Sequence, residues 1–218
     1  MIVSKKYQIL YYDVPKTGSI SFDEYFKKYY EGRYVLSGRL NDYSDDMTIE
    51  QKLHRLKHAR VPPEGTEGYV KVATVRNPFD RACSMYFFYR KFRELIINLD
   101  DQNALKGIYD TDVTSFDNFL DYCIEVTENS DFDDTDFSRH CCFPCHKYMG
   151  HEQSYDFIRI EHVKEDLKKF SFYNPEHILE HHNKTDSYPR WKDLQTEERR
   201  RKIVRWAEKD FEKFSYNA

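Results

Sequence analysis

Lys16, Thr17, Gly18, Ser19 and Ser21 stand in one short stretch, and together they can hold an anion. The lysine brings a full charge, the hydroxyls bring donors, and the glycine lets an anion approach the main chain closely. Further along, Arg76 and Ser84 offer a second place of the same kind. A guanidinium forks across a phosphate, and a serine about two turns into a following helix adds a second prong.

The elements around these residues suit that chemistry. Tyr7 to Tyr12 is short, apolar and aromatic, which predicts a buried strand. Phe22, Tyr25, Phe26 and Tyr29 recur at three and four, which predicts an amphipathic helix over 20–31. A strand, a tight turn and a helix start leave unpaired N–H groups and a partial positive charge at the turn. Tyr69 to Val75 predicts another strand, with Asn77 as cap and Pro78 in the first turn of the next helix. Arg76 then sits at a strand's carboxyl end, where open α/β sheets bind ligands. The first loop is not a Walker A loop, because Lys16 precedes Gly18 instead of following the last glycine. Taken alone, it also reads as a serine-capped helix with an exposed lysine.

The two stretches together resemble the sulfotransferase superfamily. Pro15-Lys16-Thr17-Gly18-Ser19-Ile20-Ser21 is similar to its loop for the 5′-phosphosulfate of the donor, 3′-phosphoadenylyl sulfate (PAPS). Arg76-Asn77-Pro78-Phe79-Asp80-Arg81, through Ser84 and Tyr86, is similar to its 3′-phosphate site. The resemblance is closer to the carbohydrate enzymes, including the 2-O type, than to the cytosolic steroid and phenol enzymes, whose glycine-rich C-terminal motif is missing here. Looser likenesses continue in Asp156 to Glu161, in His182-Asn183-Lys184-Thr185 as a loop folding back over the donor, and in the ending from Asp210 to Tyr216.

The resemblance implies sulfuryl transfer without a metal. Lys16 would neutralise charge on the leaving oxygen. Thr17, Gly18, Ser19, Ile20 and Ser21 would hold the 5′-phosphate, Arg76 and Ser84 the 3′-phosphate, and Lys184 and Thr185 would close over the donor. A base must take the acceptor's proton, and histidine titrates nearest neutrality. His58 is the choice, because related 2-O enzymes place a catalytic histidine shortly before the 3′-phosphate strand. His54, one helical turn earlier, and the carboxylates Asp23, Glu24 and Asp42 are the alternatives. The implied acceptor is a hydroxyl on a sugar or glycolipid, with a peptide tyrosine left open. Acidic stretches at 42–46 and 131–136 argue against a highly sulfated polymer. A nucleotide-dependent kinase or a catalytically silent nucleotide-binding module are the competing classes.

Length fits one α/β domain over 1–218, strands alternating with helices point to a central parallel sheet flanked by helices, and the resemblance implies a P-loop-like arrangement. The net charge of −4 excludes bulk nucleic-acid binding. Aromatic residues make up 17%, so the core must be built from rings, many with a hydroxyl that needs a partner. No run of about 18 apolar residues exists to span a membrane. The chain enters its first strand almost at once, which predicts a cytoplasmic enzyme or one trimmed of its anchor. Five cysteines without a secretory signal predict packed, reduced thiols, although Cys141-Cys142-Phe143-Pro144-Cys145-His146 also invites readings as a disulfide or a zinc site.

Overall fold

The computed structural model describes residues 1–34, 62–96, 113–130, 141–149, 155–182 and 188–218. In these the chain runs β1 (Ile2–Ser4), β2 (Ile9–Tyr12), α1 (Ser19–Tyr30), β3 (Arg33–Tyr34), β4 (Val70–Val75), α2 (Pro78–Ile96), α3 (Phe116–Asn129), β5 (Asp156–Arg159), α4 (Val163–Leu167), α5 (Trp191–Leu194) and α6 (Glu197–Lys213). The contacts divide it into two compact units: Met1–Val75 with Tyr148–Lys184, and Arg76–Lys147 with Thr185–Ala218.

The first unit holds a five-stranded sheet in the order β3-β1-β2-β4-β5. β2, β4 and β5 are parallel, as expected, with Tyr12 beside Ala73 and Val75 beside Arg159. β1 and β3 correct the expectation of a parallel sheet throughout. β1 pairs antiparallel with both β2 and β3, so the sheet is mixed. The reason is the short turn from Lys5 to Gln8, in which Gln8 takes φ 53°. A connection that short joins only antiparallel neighbours, whereas β2 reaches β4 through a crossover that includes a helix.

The first unit's core is aromatic. Tyr11, Phe22, Tyr25, Phe26 and Tyr30 pack with Ile2, Ile9, Val72, Ile158, Leu167 and Phe170. Tyr11 stacks on Phe26 with centroids 4.8 Å apart. The buried hydroxyls find partners, as the composition demands: Tyr11 meets Thr74 at 2.9 Å, and Tyr30 donates to the Phe172 carbonyl at 3.0 Å. Burial pushes the Tyr11 phenol well above its ordinary value, so it stays a neutral donor.

α1 ends where Glu31 turns left-handed at φ 52° and the Gly32 N–H returns to the Phe26 carbonyl at 3.0 Å. This is a reverse turn of the kind that closes many helices. At the far edge, Asp166 of α4 receives Arg159 Nε at 2.9 Å, Arg159 Nη2 at 3.0 Å, the Arg159 N–H at 2.9 Å, and Lys169. Burial alone would raise that carboxyl, but these donors outweigh it and hold it well below the usual range.

The second unit is helical. Asn77 caps α2, its Oδ1 accepting the Phe79 N–H at 3.0 Å, and Pro78 opens the helix as the sequence predicts. Ser115 and Thr196 cap α3 and α6 through the N–H groups of Asn118 and Arg199. Phe116, Phe119, Leu120 and Cys123 of α3 are buried, as are Ile203, Trp206, Ala207 and Phe211 of α6. The outer seam of these two helices carries Arg199 with Asp117, Lys202 with Asp121 and Arg205 with Glu128. All five cysteines are free and buried. Among the described residues no helix is long and apolar enough to cross a membrane. Both acidic stretches lie outside the described residues.

Candidate active site

The loop from Asp13 to Gly18 leaves the carboxyl end of β2 and runs into α1. Two of its residues are left-handed, Lys16 at φ 66° and Gly18 at φ 78°. Glycine adopts this readily, but a lysine held there carries local strain. Alternating backbone hands of this kind turn successive N–H groups towards one concavity that suits an anion. A Cβ on Gly18 would lie 3.7 Å from Ile160 Cγ2, an ordinary contact, so backbone conformation and not space asks for glycine there.

The start of α1 is also prepared for a negative charge. Gly18 provides no side-chain cap, and the first turn contains no acidic residue. No carboxylate of its own first turn therefore competes for the N–H groups there. Lys16 is half-buried, Ser19 and Ser21 are buried, and Ile20 is 43% exposed. Ile20 can thus offer its amide while its side chain faces solvent.

Beneath the loop lies a buried polar chain. The Thr17 hydroxyl donates to the Val14 carbonyl at 2.7 Å and meets Thr74 Oγ1 at 2.7 Å. Thr74 continues the chain to the Tyr11 hydroxyl. Thr17 therefore anchors the loop with its side chain and has its amide to offer a ligand. Asp23, on the second turn of α1, is 2% exposed and accepts the Tyr34 hydroxyl. Burial, with Asp23 and then Asp13 nearby, pushes the Tyr34 phenol upward, so that proton stays on Tyr34. Glu24, by contrast, is exposed and paired with Lys27 at 3.2 Å.

A strap without regular structure, from Phe172 to His182, runs back along α1. His177 stacks on Tyr29 at 4.2 Å and meets the Tyr30 hydroxyl at 3.0 Å. Lys28 pairs with Glu180 at 2.9 Å, and the His182 N–H donates to Ser21 Oγ at 2.9 Å. The strap thus returns the chain to the first turn of α1, immediately before Lys184 and Thr185. Those two residues, with His54, His58 and Asp42, lie outside the described residues.

Val75 ends β4 on the same edge of the sheet as Tyr12, through the parallel register. Arg76, the next residue, opens the second unit and is half-buried. Ser84 lies on α2 and is half-buried. Below it, Arg81 is fully buried and donates to the Phe143 carbonyl at 2.8 Å. The turn from Cys141 is also fastened by Tyr89, Trp206 and Asp210. Burial pushes the Cys83 and Cys145 thiols up to about 12, so both stay protonated at neutral pH. Among the described residues no group of three or more His, Cys, Asp or Glu side chains could hold a metal ion.

Sequence reasoning missed Thr74, the Asp23–Tyr34 pair and the strap. Thr74 had one signal, a hydroxyl in an otherwise apolar strand interior. The strap had none, since it has no periodicity.

A comparison with models of protein families matches residues 1–217 to the sulfotransferase family. A search of curated proteins and a search of solved structures returned no match.

Proposed function

Because the chain belongs to the sulfotransferase family, we propose that it moves a sulfuryl group from PAPS to a hydroxyl of a carbohydrate or glycolipid. The family supports transfer of this general class, and the geometry of the Lys16–Ser21 loop carries the finer reading. That loop joins a lysine, a left-handed glycine and an uncapped helix start beside a parallel strand. It takes the place of a phosphate-binding loop in one catalytic domain over 1–218, with a P-loop-like arrangement.

The chain's residues divide the work. Lys16 neutralises charge on the bridging oxygen as the S–O bond to the 5′-phosphate breaks and the bond to the acceptor oxygen forms. The amides of Thr17 to Ser21, with the Ser19 and Ser21 hydroxyls, hold the 5′-phosphate. Arg76 and Ser84 hold the 3′-phosphate, which distinguishes PAPS from ATP. Lys184 and Thr185 cover the donor from the end of the strap. His58 takes the acceptor's proton, and no metal takes part. Asp23 is a second reading for the base, favoured by its burial one turn beyond the loop. Free, buried thiols accord with a reducing compartment and hence a cytoplasmic site of action.

Lys16→Ala tests the assignment. Transfer from PAPS should fall about 10²–10³-fold, the usual cost of removing one transition-state donor, with the fold retained by circular dichroism. Near-normal transfer would overturn the mechanism.

A further inference from the structure

Thr74 places a hydroxyl between Ala73 and Val75 of β4, where no solvent reaches it; Tyr11, Val14 and Thr17 are as fully buried. A buried hydroxyl is costly unless it is hydrogen-bonded, so the direction in which each proton points is informative. Tyr11 pairs with Val72 in the parallel register, and side chains two apart on a strand share a face. Tyr11 and Thr74 therefore lie on one face of the sheet, at the end where β2 gives way to the Lys16 loop.

The Val14 carbonyl sets the direction of the whole chain. A carbonyl can only accept, so the Thr17 proton points to it at 2.7 Å. Thr17 Oγ1 then accepts from the Thr74 hydroxyl at 2.7 Å, and Thr74 Oγ1 accepts from the Tyr11 phenol at 2.9 Å. Burial, with Asp13 and Asp23 nearby, keeps the proton on Tyr11. Each hydroxyl has one proton, and all three are committed the same way: Tyr11 to Thr74 to Thr17 to Val14. The last bond closes a ring that contains Lys16, left-handed at φ 66°. Such a conformation persists where its surroundings over-determine it. Thr74 belongs to β4, so it holds the Thr17 hydroxyl from outside the segment that carries the loop. All of these residues belong to the first unit.

We propose that Thr74 is a positioning residue for the 5′-phosphate site: its hydroxyl fixes Thr17 against Val14 and so holds Lys16 and the loop amides in the anion-binding conformation. The inference rests on the reading of the Lys16–Ser21 loop as the place of the 5′-phosphate. Thr74 itself touches no ligand. Tyr11 is the outer member of the chain, and its loss leaves the bonds from Thr74 to Thr17 and from Thr17 to Val14 in place.

Calorimetric titration with 3′-phosphoadenosine 5′-phosphate (PAP) and with adenosine 3′-phosphate, which lacks the 5′-phosphate, separates this role from a purely structural one. Thr74→Val keeps the side chain's shape and removes the hydroxyl. It should bind PAP about tenfold more weakly, the scale of one charge-assisted hydrogen bond, and adenosine 3′-phosphate within about twofold of the unaltered protein. Thr74→Ser restores the hydroxyl and should recover most of the PAP affinity. Tyr11→Phe also gives up a buried hydrogen bond and should lower the melting temperature, yet it should weaken PAP by no more than about threefold. PAP affinity that simply follows melting temperature across the three variants, a Val variant with unchanged PAP affinity, or an equal loss for both nucleotides would overturn the assignment. In the unaltered protein the Thr74 hydroxyl proton should exchange slowly enough to be seen by NMR, with a cross-peak to Thr17. A freely exchanging proton there would overturn the assignment whatever becomes of the variants. If the unaltered protein bound both nucleotides alike, the 5′-phosphate reading of the loop would itself fall, and this assignment with it.

Discussion

Lys16 is a non-glycine residue held at φ 66°, between the carboxyl end of β2 and the start of α1. Its type was legible in the sequence as a charge beside a glycine, but its backbone hand was not. No local pattern announces a left-handed lysine, which persists because its surroundings determine it. Thr17 shows the same limit. Its hydroxyl reads as a ligand donor in the sequence, yet the fold turns it inward to Val14 and Thr74. The base is the residue-scale question that experiment can decide. His58→Ala is expected to lower the maximal rate about 10²–10⁴-fold, the usual range for general base catalysis, with little change in PAP affinity. Asp23→Asn is expected to leave the rate within about tenfold while lowering stability, since it alters a buried partner of Tyr34. The reverse pattern in steady-state kinetics would hand the role to Asp23.

At the scale of elements, those with strong periodicity or caps were legible. Asn77-Pro78 opens α2 where the sequence places it. β1 was not legible, because a three-residue strand is too short to show alternation. Its antiparallel pairing made the sheet mixed. Gly32 shows how closely β1 and α1 pack. A Cβ there would stand 2.6 Å from Ile2 Cγ2 and 3.0 Å from the Phe26 carbonyl oxygen. Gly32→Ala should therefore cost about 1–3 kcal/mol, the scale of overpacking, measurable by urea denaturation. An unchanged midpoint would show that the β1 contact yields freely.

The junction of β5 and α4 gives a pH dependence. The Asp166 carboxyl is held well below its usual range by Arg159 and Lys169. A depressed native value stabilises the fold above the unfolded-state value of about 4 and loses that contribution as pH falls through the native value. Asp166→Asn should cost about 1.5–3 kcal/mol near neutrality, as for hydrogen bonds to a charged group. The gap in melting temperature between the two proteins should narrow steadily below about pH 4. A gap independent of pH would mean that the ionised carboxylate contributes nothing.

At the scale of the whole molecule, the family was legible from two short stretches, and the family match covers residues 1–217. The reason is chemical: the resemblance rests on two anion-binding stretches, and an anion site at a strand end leaves a compact motif. Lys16 to Ser21 belong to the first unit, and Arg76 and Ser84 to the second. An acceptor leaves no such motif, because it is met by shape and scattered polar groups. The most direct measurement of the central claim is calorimetric binding of PAP beside adenosine 5′-phosphate and ATP with magnesium. The expected result is PAP binding without metal, weakened by removal of the 3′-phosphate and by Arg76→Ala. Preference for ATP with magnesium, or binding indifferent to the 3′-phosphate, would contradict the assignment of PAPS as donor.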